Sequence, residues 1–244
     1  MTKKLKILAV IPARGGSQSI KKKNIKKLGR HPLLAYTVFQ AKKSKLLTDV
    51  VVSSDDLQII NIAKKYGAQA PFVRPKNLAT SKALAVPTIQ HAVSFMENKS
   101  GQKYDYVLML QPTCPFTLAL DVDGAIKKLI KTKADSVISV VEVGPVHPWR
   151  MKKIVGDHLV DYSAEAIENM PRQNLPKIYI RSGDVYATKR DVLMKQNTFK
   201  GKDSRPFIIP LERAMNIDSI SDFWLAEKML ENHQTIKKAF KGLL

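Results

Sequence analysis

Arg14, Gly15, Gly16, Ser17, Lys23 and Asn24 fall within a short stretch that directly follows an apolar run. Paired glycines let backbone come close to a ligand, and successive N–H groups form a nest for an anion. Arg14 and Lys23 add positive charge, Ser17 a hydroxyl, and Asn24 both donors and an acceptor. The chemistry such a set performs is recognition of phosphate or another polyanion. A flexible basic surface loop is the alternative. The spacing matches neither G-x-x-x-x-G-K-[ST] nor G-x-G-x-x-G.

Three further places carry reactive or recognising side chains. Gln111 follows the apolar run Tyr-Val-Leu-Met-Leu, and an amide leaving a buried strand needs partners, whether ligand or protein. Arg172 lies in Met-Pro-Arg-Gln-Asn-Leu-Pro. Its guanidinium suits a carboxylate through a bidentate pair, or an ordinary surface ion pair. Asn216 and Asp218 are two residues apart, so on extended backbone both face one way. Together they offer oxygen ligands to a hard cation, unless Asp218 only complements a helix N-terminus. Cys114 has no His or Asp positioned near it in sequence and reads as a small buried hydrophobe. His147 and His158 lack metal-ligand spacing.

These residues sit between elements that the apolar pattern predicts. Residues 7–11, 50–52, 70–73, 106–110, 136–141 and 207–211 read as strands, and order also returns at 184–187. Pro32 opens a helix with Leu34, Val38 and Ala41 at helical spacing. Asp55 or Asp56 caps the next, with Ile59, Ile60 and Ala63 on one face and Gly67 as its stop. Val86, Ile89, Val93 and Met96 form a third helical stripe. Residues 121–131 form a fourth helix, a fifth lies near Arg190, and the last starts at Ser221 with Phe223, Ala226, Glu227 and Leu230 on one face. Strand–helix alternation implies an α/β fold with a mostly parallel sheet and helices on both faces. Residues 145–180 break the pattern and read as an insertion protruding from a single domain over residues 1–244.

Composition sets the outer bounds. The 244 residues carry a formal charge of +20, which favours acidic partners; solvated helix faces are the alternative. The lysines are spread along the chain and no nucleic-acid motif occurs. One cysteine excludes an internal disulfide and fits a reducing cytoplasm. No apolar stretch approaches the roughly 20 residues of a membrane span, and the basic-then-apolar start reads as a first strand rather than a signal peptide.

The segments Ile-Pro-Ala-Arg-Gly-Gly-Ser-Gln-Ser-Ile-Lys-Lys-Lys-Asn-Ile, Met-Leu-Gln-Pro-Thr-Cys-Pro-Phe, Met-Pro-Arg-Gln-Asn-Leu-Pro and Asn-Ile-Asp-Ser-Ile-Ser-Asp-Phe-Trp-Leu-Ala-Glu resemble, in order, motifs of the acylneuraminate cytidylyltransferases. So does the stretch from Val51 to Ala79. The resemblance covers about residues 5–230. It implies a Rossmann-like nucleotidyltransferase sheet and transfer of CMP from CTP to the anomeric hydroxyl of a nonulosonic acid, with release of pyrophosphate and help from Mg²⁺. By the same resemblance Arg14, Gly15, Gly16, Ser17, Lys23, Asn24 and Arg74 contact CTP, with Arg74 near the base. Gln111, Arg172, Ser182 and Tyr186 meet the sugar. Arg14, Lys23 and Asp218 take part in catalysis, and Asp218 with Asn216 holds the metal. The insertion becomes a dimer contact, and Arg172 reaches the neighbouring subunit's sugar site in a homodimer. The chain departs from the family pattern at Asn216, where an aspartate is usual. It departs again at Ser182 and Asp184, where Asn and Ala are usual, and Asp184 is expected to add charge near the sugar pocket. A nucleotidyltransferase for an eight-carbon ulosonic acid stays open, as does a non-catalytic binder of nucleotides or nucleic acid.

Overall fold

The computed structural model describes residues 4–243. Strand β1 (Ile7–Pro12) alternates inward on two sides: Ile7, Ala9 and Ile11 join one apolar cluster, Leu8 and Val10 another. A strand buried on both faces belongs at the centre of a sheet covered by helices. After β1 come two short strands, β2 (Lys27–Leu28) and β3 (His31–Pro32), then helix α1 (Leu33–Lys43), β4 (Asp49–Ser53), α2 (Leu57–Lys65), α3 (Ala85–Ser100), β5 (Tyr106–Leu110), α4 (Ala119–Thr132) and β6 (Ser136–Glu142). The chain continues through β7 (Lys152–Val155), β8 (His158–Asp161), β9 (Tyr179–Lys189), α5 (Arg190–Gln196), β10 (Ser204–Ile208), α6 (Ile220–Asn232) and α7 (Gln234–Ala239).

The described residues form a six-stranded sheet in the order β10-β6-β9-β5-β1-β4. β1 runs parallel to β4 and β5, and β10 parallel to β6, while β9 is antiparallel to both β5 and β6. Helices α1, α2 and α4 pack on one face through Leu34, Val38, Ile59, Val122 and Ile126. Helix α3 covers the other through Ile89, Val93 and Met96, joined by Leu193 of α5. The expected mostly parallel sheet with helices on both faces is thus present. A third cluster closes the edge beyond α1, where Tyr36 meets Phe223 of α6 and Phe240.

The structure corrects several local expectations. Residues 70–73 form no strand; a single bridge joins Val51 to Gln69. Pro71 cannot donate to a ladder, and Phe72 instead turns its ring onto Phe95 of α3, 4.8 Å between centroids. The edge strand lies three residues earlier than expected, and it accommodates Pro206 because an edge leaves one row of N–H groups unneeded. The order expected over 184–187 belongs to an eleven-residue strand, β9. Asp56, rather than Asp55, caps α2 by accepting from the Gln58 and Ile59 amides. The helix expected from Ser221 starts at Ile220, capped by Ser219 and Asp222, and it is not the last, because α7 follows it. Between β6 and β9 the chain leaves the sheet, and β7 and β8 pair as a hairpin whose residues are all exposed.

Candidate active site

β1, β5 and the segment before α6 deliver their ends to one place. A cavity of about 330 Å³ is lined by Arg14, Ser17, Lys23, Asn24, Gln111 and Asp218, with Gln18, Ser19 and Thr113 among its other walls. It lies at the carboxyl ends of β1 and β5, where open α/β sheets bind ligands. The parallel pairing of those two strands brings residues 14 and 111 together although about a hundred positions separate them.

Each side chain has an identifiable hold. The Asn24 amide donates to the Arg14 carbonyl at 2.9 Å, which folds the opening loop back on itself. Its Oδ1 is buried and has no hydrogen-bond partner among the described residues. Lys23 Nζ donates to the Ile217 carbonyl at 2.8 Å and to Asp218 Oδ1 at 3.1 Å. This clamps the opening loop to the segment before α6. Gly15 donates its N–H to Asp55 Oδ1 at 3.0 Å, and a Cβ there would come within 2.9 Å of the Asp56 side chain. Gly15 therefore serves contact with the α2 cap, whereas Gly16 has open space around it.

Asp218 is largely exposed and its Oδ2 accepts from the Asn216 amide at 2.5 Å. Asn216 Oδ1 lies instead toward Cys114 Sγ, 3.9 Å away. Among the described residues no three His, Cys, Asp or Glu side chains converge as a metal site. A divalent ion would find one carboxylate here, and Mg²⁺ commonly takes one or two together with substrate phosphates. The donor set fits an ion that arrives with a triphosphate.

Other expected site residues lie outside the cavity. Arg74 is buried rather than in solvent, bonded to Ser53 Oγ at 3.0 Å, to the Ser53 carbonyl and to the Leu78 carbonyl. Burial pulls its guanidinium down to about 10; Asp55 opposes and Arg14 adds to the depression. Arg74 thus stands near Arg14 of the opening loop but outside the cavity lining. Tyr186 turns to the α3 side, its ring 5.9 Å from Phe199. Arg172 sits exposed in a single turn near Gly144. Ser182 is buried and its carbonyl accepts from Cys114 Sγ at 3.6 Å.

Asp184 is fully buried and adds no charge to an open pocket. Thr117 Oγ1 reaches its Oδ1 at 2.6 Å. Burial pushes its carboxyl up to about 6, with nearby Asp121 adding, against the Ser182 and Thr117 hydroxyls and the Arg213 guanidinium. Cys114 is also fully buried, its thiol pushed up by burial and by Asp184. It is no activated nucleophile. The Asp121–Arg213 pair, buried beneath the 111–118 loop, escaped sequence reasoning. Two charged residues some ninety positions apart carry no local signal of pairing.

Residues 8–199 match the sequence profile of the cytidylyltransferase family. The chain is 31% identical to a pseudaminic acid cytidylyltransferase of Campylobacter jejuni, covering 95% of this chain and 99% of that one. It is 30% identical to the CMP-N,N'-diacetyllegionaminic acid synthase of Legionella pneumophila, covering 94% and 98%. Among solved structures, a CMP:2-keto-3-deoxy-manno-octonic acid synthetase complexed with CTP superposes with a TM-score of 0.70 at 15% identity, over 93% of this chain and 98% of that one, a likeness of fold. A sheet-end cavity built from a glycine-basic loop, together with a family match over most of the sequence, places the chain in the cytidylyltransferase family.

Proposed function

We propose that the protein joins CMP from CTP to the anomeric hydroxyl of a nonulosonic acid. The observation that carries this reading is the convergence of Arg14, Lys23, Asn24, Gln111 and Asp218 on one cavity. The relatives named for pseudaminic and legionaminic acids support the acceptor class.

In the reaction the anomeric oxygen attacks the α-phosphorus and loses its proton to solvent. The bond to the bridging oxygen breaks, and pyrophosphate leaves. Such transfer depends on positioning and charge neutralisation. Arg14 and Lys23 oppose the triphosphate's charge, and the open backbone at Gly16 and the Ser17 hydroxyl add donors. Asn24 Oδ1 accepts from a nucleotide hydroxyl. Gln111, across the cavity, orients the sugar, and Arg74 stands near Arg14. Asp218 and the triphosphate would hold Mg²⁺, which supplies counter-charge to the departing pyrophosphate.

The insertion supports a homodimer. Ile154 and Leu159, paired across the hairpin, are 79% and 70% exposed, and exposed apolar surface of this kind suits a protein–protein contact. Arg172 is exposed in the same insertion and reaches a neighbour's sugar carboxylate in this arrangement. Reducing cytoplasm suits the lone cysteine, and among the described residues no helix is long and apolar enough to cross a membrane.

The test is release of pyrophosphate from CTP and Mg²⁺ with a panel of sugar acids. A nonulosonic acid is expected to support it. Turnover confined to an eight-carbon ulosonic acid would overturn the acceptor assignment. CTP binding without turnover on any acid would favour a non-catalytic binder.

A further inference from the structure

Nothing in the transfer step itself calls for a carboxylate where Asp184 stands. Asp184 has no exposed surface. Burying a carboxylate costs free energy unless it is paired and hydrogen-bonded, and the nearest guanidinium, Arg213, is already bound to Asp121 at 2.9 Å. An alanine or valine would fill the site more cheaply. What the carboxylate does hold is the 111–118 loop.

That hold can be followed bond by bond. Thr117 Oγ1 lies 2.6 Å from Asp184 Oδ1 and 3.0 Å from the Cys114 carbonyl. The hydroxyl has one proton, and 2.6 Å is the length of a charge-assisted bond to an ionised oxygen. Cys114 in turn donates its amide to the Gln111 carbonyl at 3.1 Å, closing the turn that carries Gln111. The neighbouring Gly183 adopts φ +90°, and a Cβ there would lie 2.7 Å from Gln111 Oε1. Only glycine lets β9 come this near. On its far side the loop's Thr113 carbonyl accepts from the Ile217 amide at 2.8 Å, and the Ile217 carbonyl accepts from Lys23. Asp218 follows directly. The bend of β9 thus fixes Gln111, and Gln111's loop fixes the segment that presents Asp218.

We propose that Asp184 is a positioning residue for cytidylyl transfer: through Thr117 it fixes the loop that carries Gln111 and, through Thr113, the placement of Asp218. This rests on the function proposed above. Arg14 and Gly15 of the opening loop are held by Asn24 and Asp55 instead, and only Lys23 meets the Ile217 segment, so CTP affinity depends on the Asp184 contact less than turnover does. The charged or titratable groups facing Asp184 are Asp121 of α4, Arg213, Cys114 of the loop, and Tyr186 on its own strand. Because its carboxyl titrates near 6, the grip on Thr117 weakens as pH falls through that value.

The experiment compares Thr117→Val, Thr117→Ser and Asp184→Asn with wild type, using kcat, the calorimetric dissociation constant for CTP, and amide hydrogen exchange over residues 111–118. Thr117→Val is expected to lose about tenfold or more in kcat, to keep its CTP affinity within about twofold, and to exchange faster in the loop. Thr117→Ser restores all three. In wild type kcat falls below about pH 6. Asp184→Asn lacks that limb and stays near the wild type's acid level. Wild-type kcat and loop exchange in Thr117→Val would overturn the proposal. So would a loss of CTP affinity that matches the loss of kcat, since that is general destabilisation. An acid limb surviving in Asp184→Asn would remove the titration from Asp184. If wild type turned over no sugar acid, the functional reading would fail while loop exchange still tested what Asp184 holds.

Discussion

Lys23 and Asp218 hold each other at 3.1 Å across the cavity mouth, with Lys23 nearly buried and Asp218 largely exposed. A partly exposed pair of this kind is a weak contributor to stability, so its importance lies in presenting one cation and one anion to a ligand. Arg14 stands beside them with its backbone fixed by Asn24. Arg14→Ala is expected to weaken CTP binding by roughly 10- to 150-fold, the value of a charge-assisted phosphate contact of about 1.5–3 kcal/mol. Isothermal calorimetry on the folded variant checks it. Asn216 now donates to Asp218. Asn216→Asp removes that donor and sets a second carboxylate against the first, a repulsion that a divalent ion relieves. The half-saturating Mg²⁺ concentration is expected to fall, and melting temperature to rise with Mg²⁺ more than in wild type.

Asp184 makes a prediction of the opposite kind. Its carboxyl is raised from 3.8 to about 6 in the folded chain, so the folded state binds this proton more tightly than the unfolded. The group's penalty to folding is absent below about pH 4, grows between 4 and 6, and is complete above 6. It amounts to on the order of 3 kcal/mol. Asp184→Asn is therefore expected to be more stable than wild type at pH 7.5, with the advantage shrinking toward pH 4.5, as read by urea unfolding at both values. A variant that gains stability and loses turnover is the signature of a site held at a cost. That Arg14, Lys23, Asn24, Gln111 and Asp218 would come together was legible in the sequence, because each sits in a segment that joins predicted strands and helices. The burial of Asp184 was not, because β9 carries extra residues opposite β6 between Arg181 and Tyr186, which breaks the alternation that tells inward from outward.

At the scale of elements, helices with strong apolar stripes were legible nearly to their ends, while three strands were not. Residues 70–73 have strand composition but Pro71 in the ladder position. The apolar run 207–211 overshot β10, whose pairing with β6 is set by Ser204 and Arg205 as much as by Phe207. The antiparallel direction of β9 has no local signature at all, since it follows from where the insertion returns the chain. That insertion carries its own test. The β7–β8 hairpin exposes Ile154 and Leu159, paired across its strands. If the protein forms the proposed homodimer, the double change Ile154→Lys and Leu159→Lys is expected to give a monomer by light scattering while leaving the melting of the sheet within a few degrees, because the residues of both hairpin strands are exposed in their own chain.

For the whole molecule, the charge of +20 and the sheet-end cavity describe the same preference. The lysines lie on many elements, so the charge draws polyanions generally, and only the cavity selects among them. On the proposed function, this cavity holds a triphosphate for attack at its α-phosphorus. Incubating the protein with a nonulosonic acid, Mg²⁺ and CTP labelled separately at the α- and γ-phosphates tests it most directly. The α label is expected to appear in a sugar-linked product and the γ label to leave in pyrophosphate, both lost in step in Arg14→Ala. Release of the γ label as orthophosphate, or an α label that stays in free nucleotide, would contradict it.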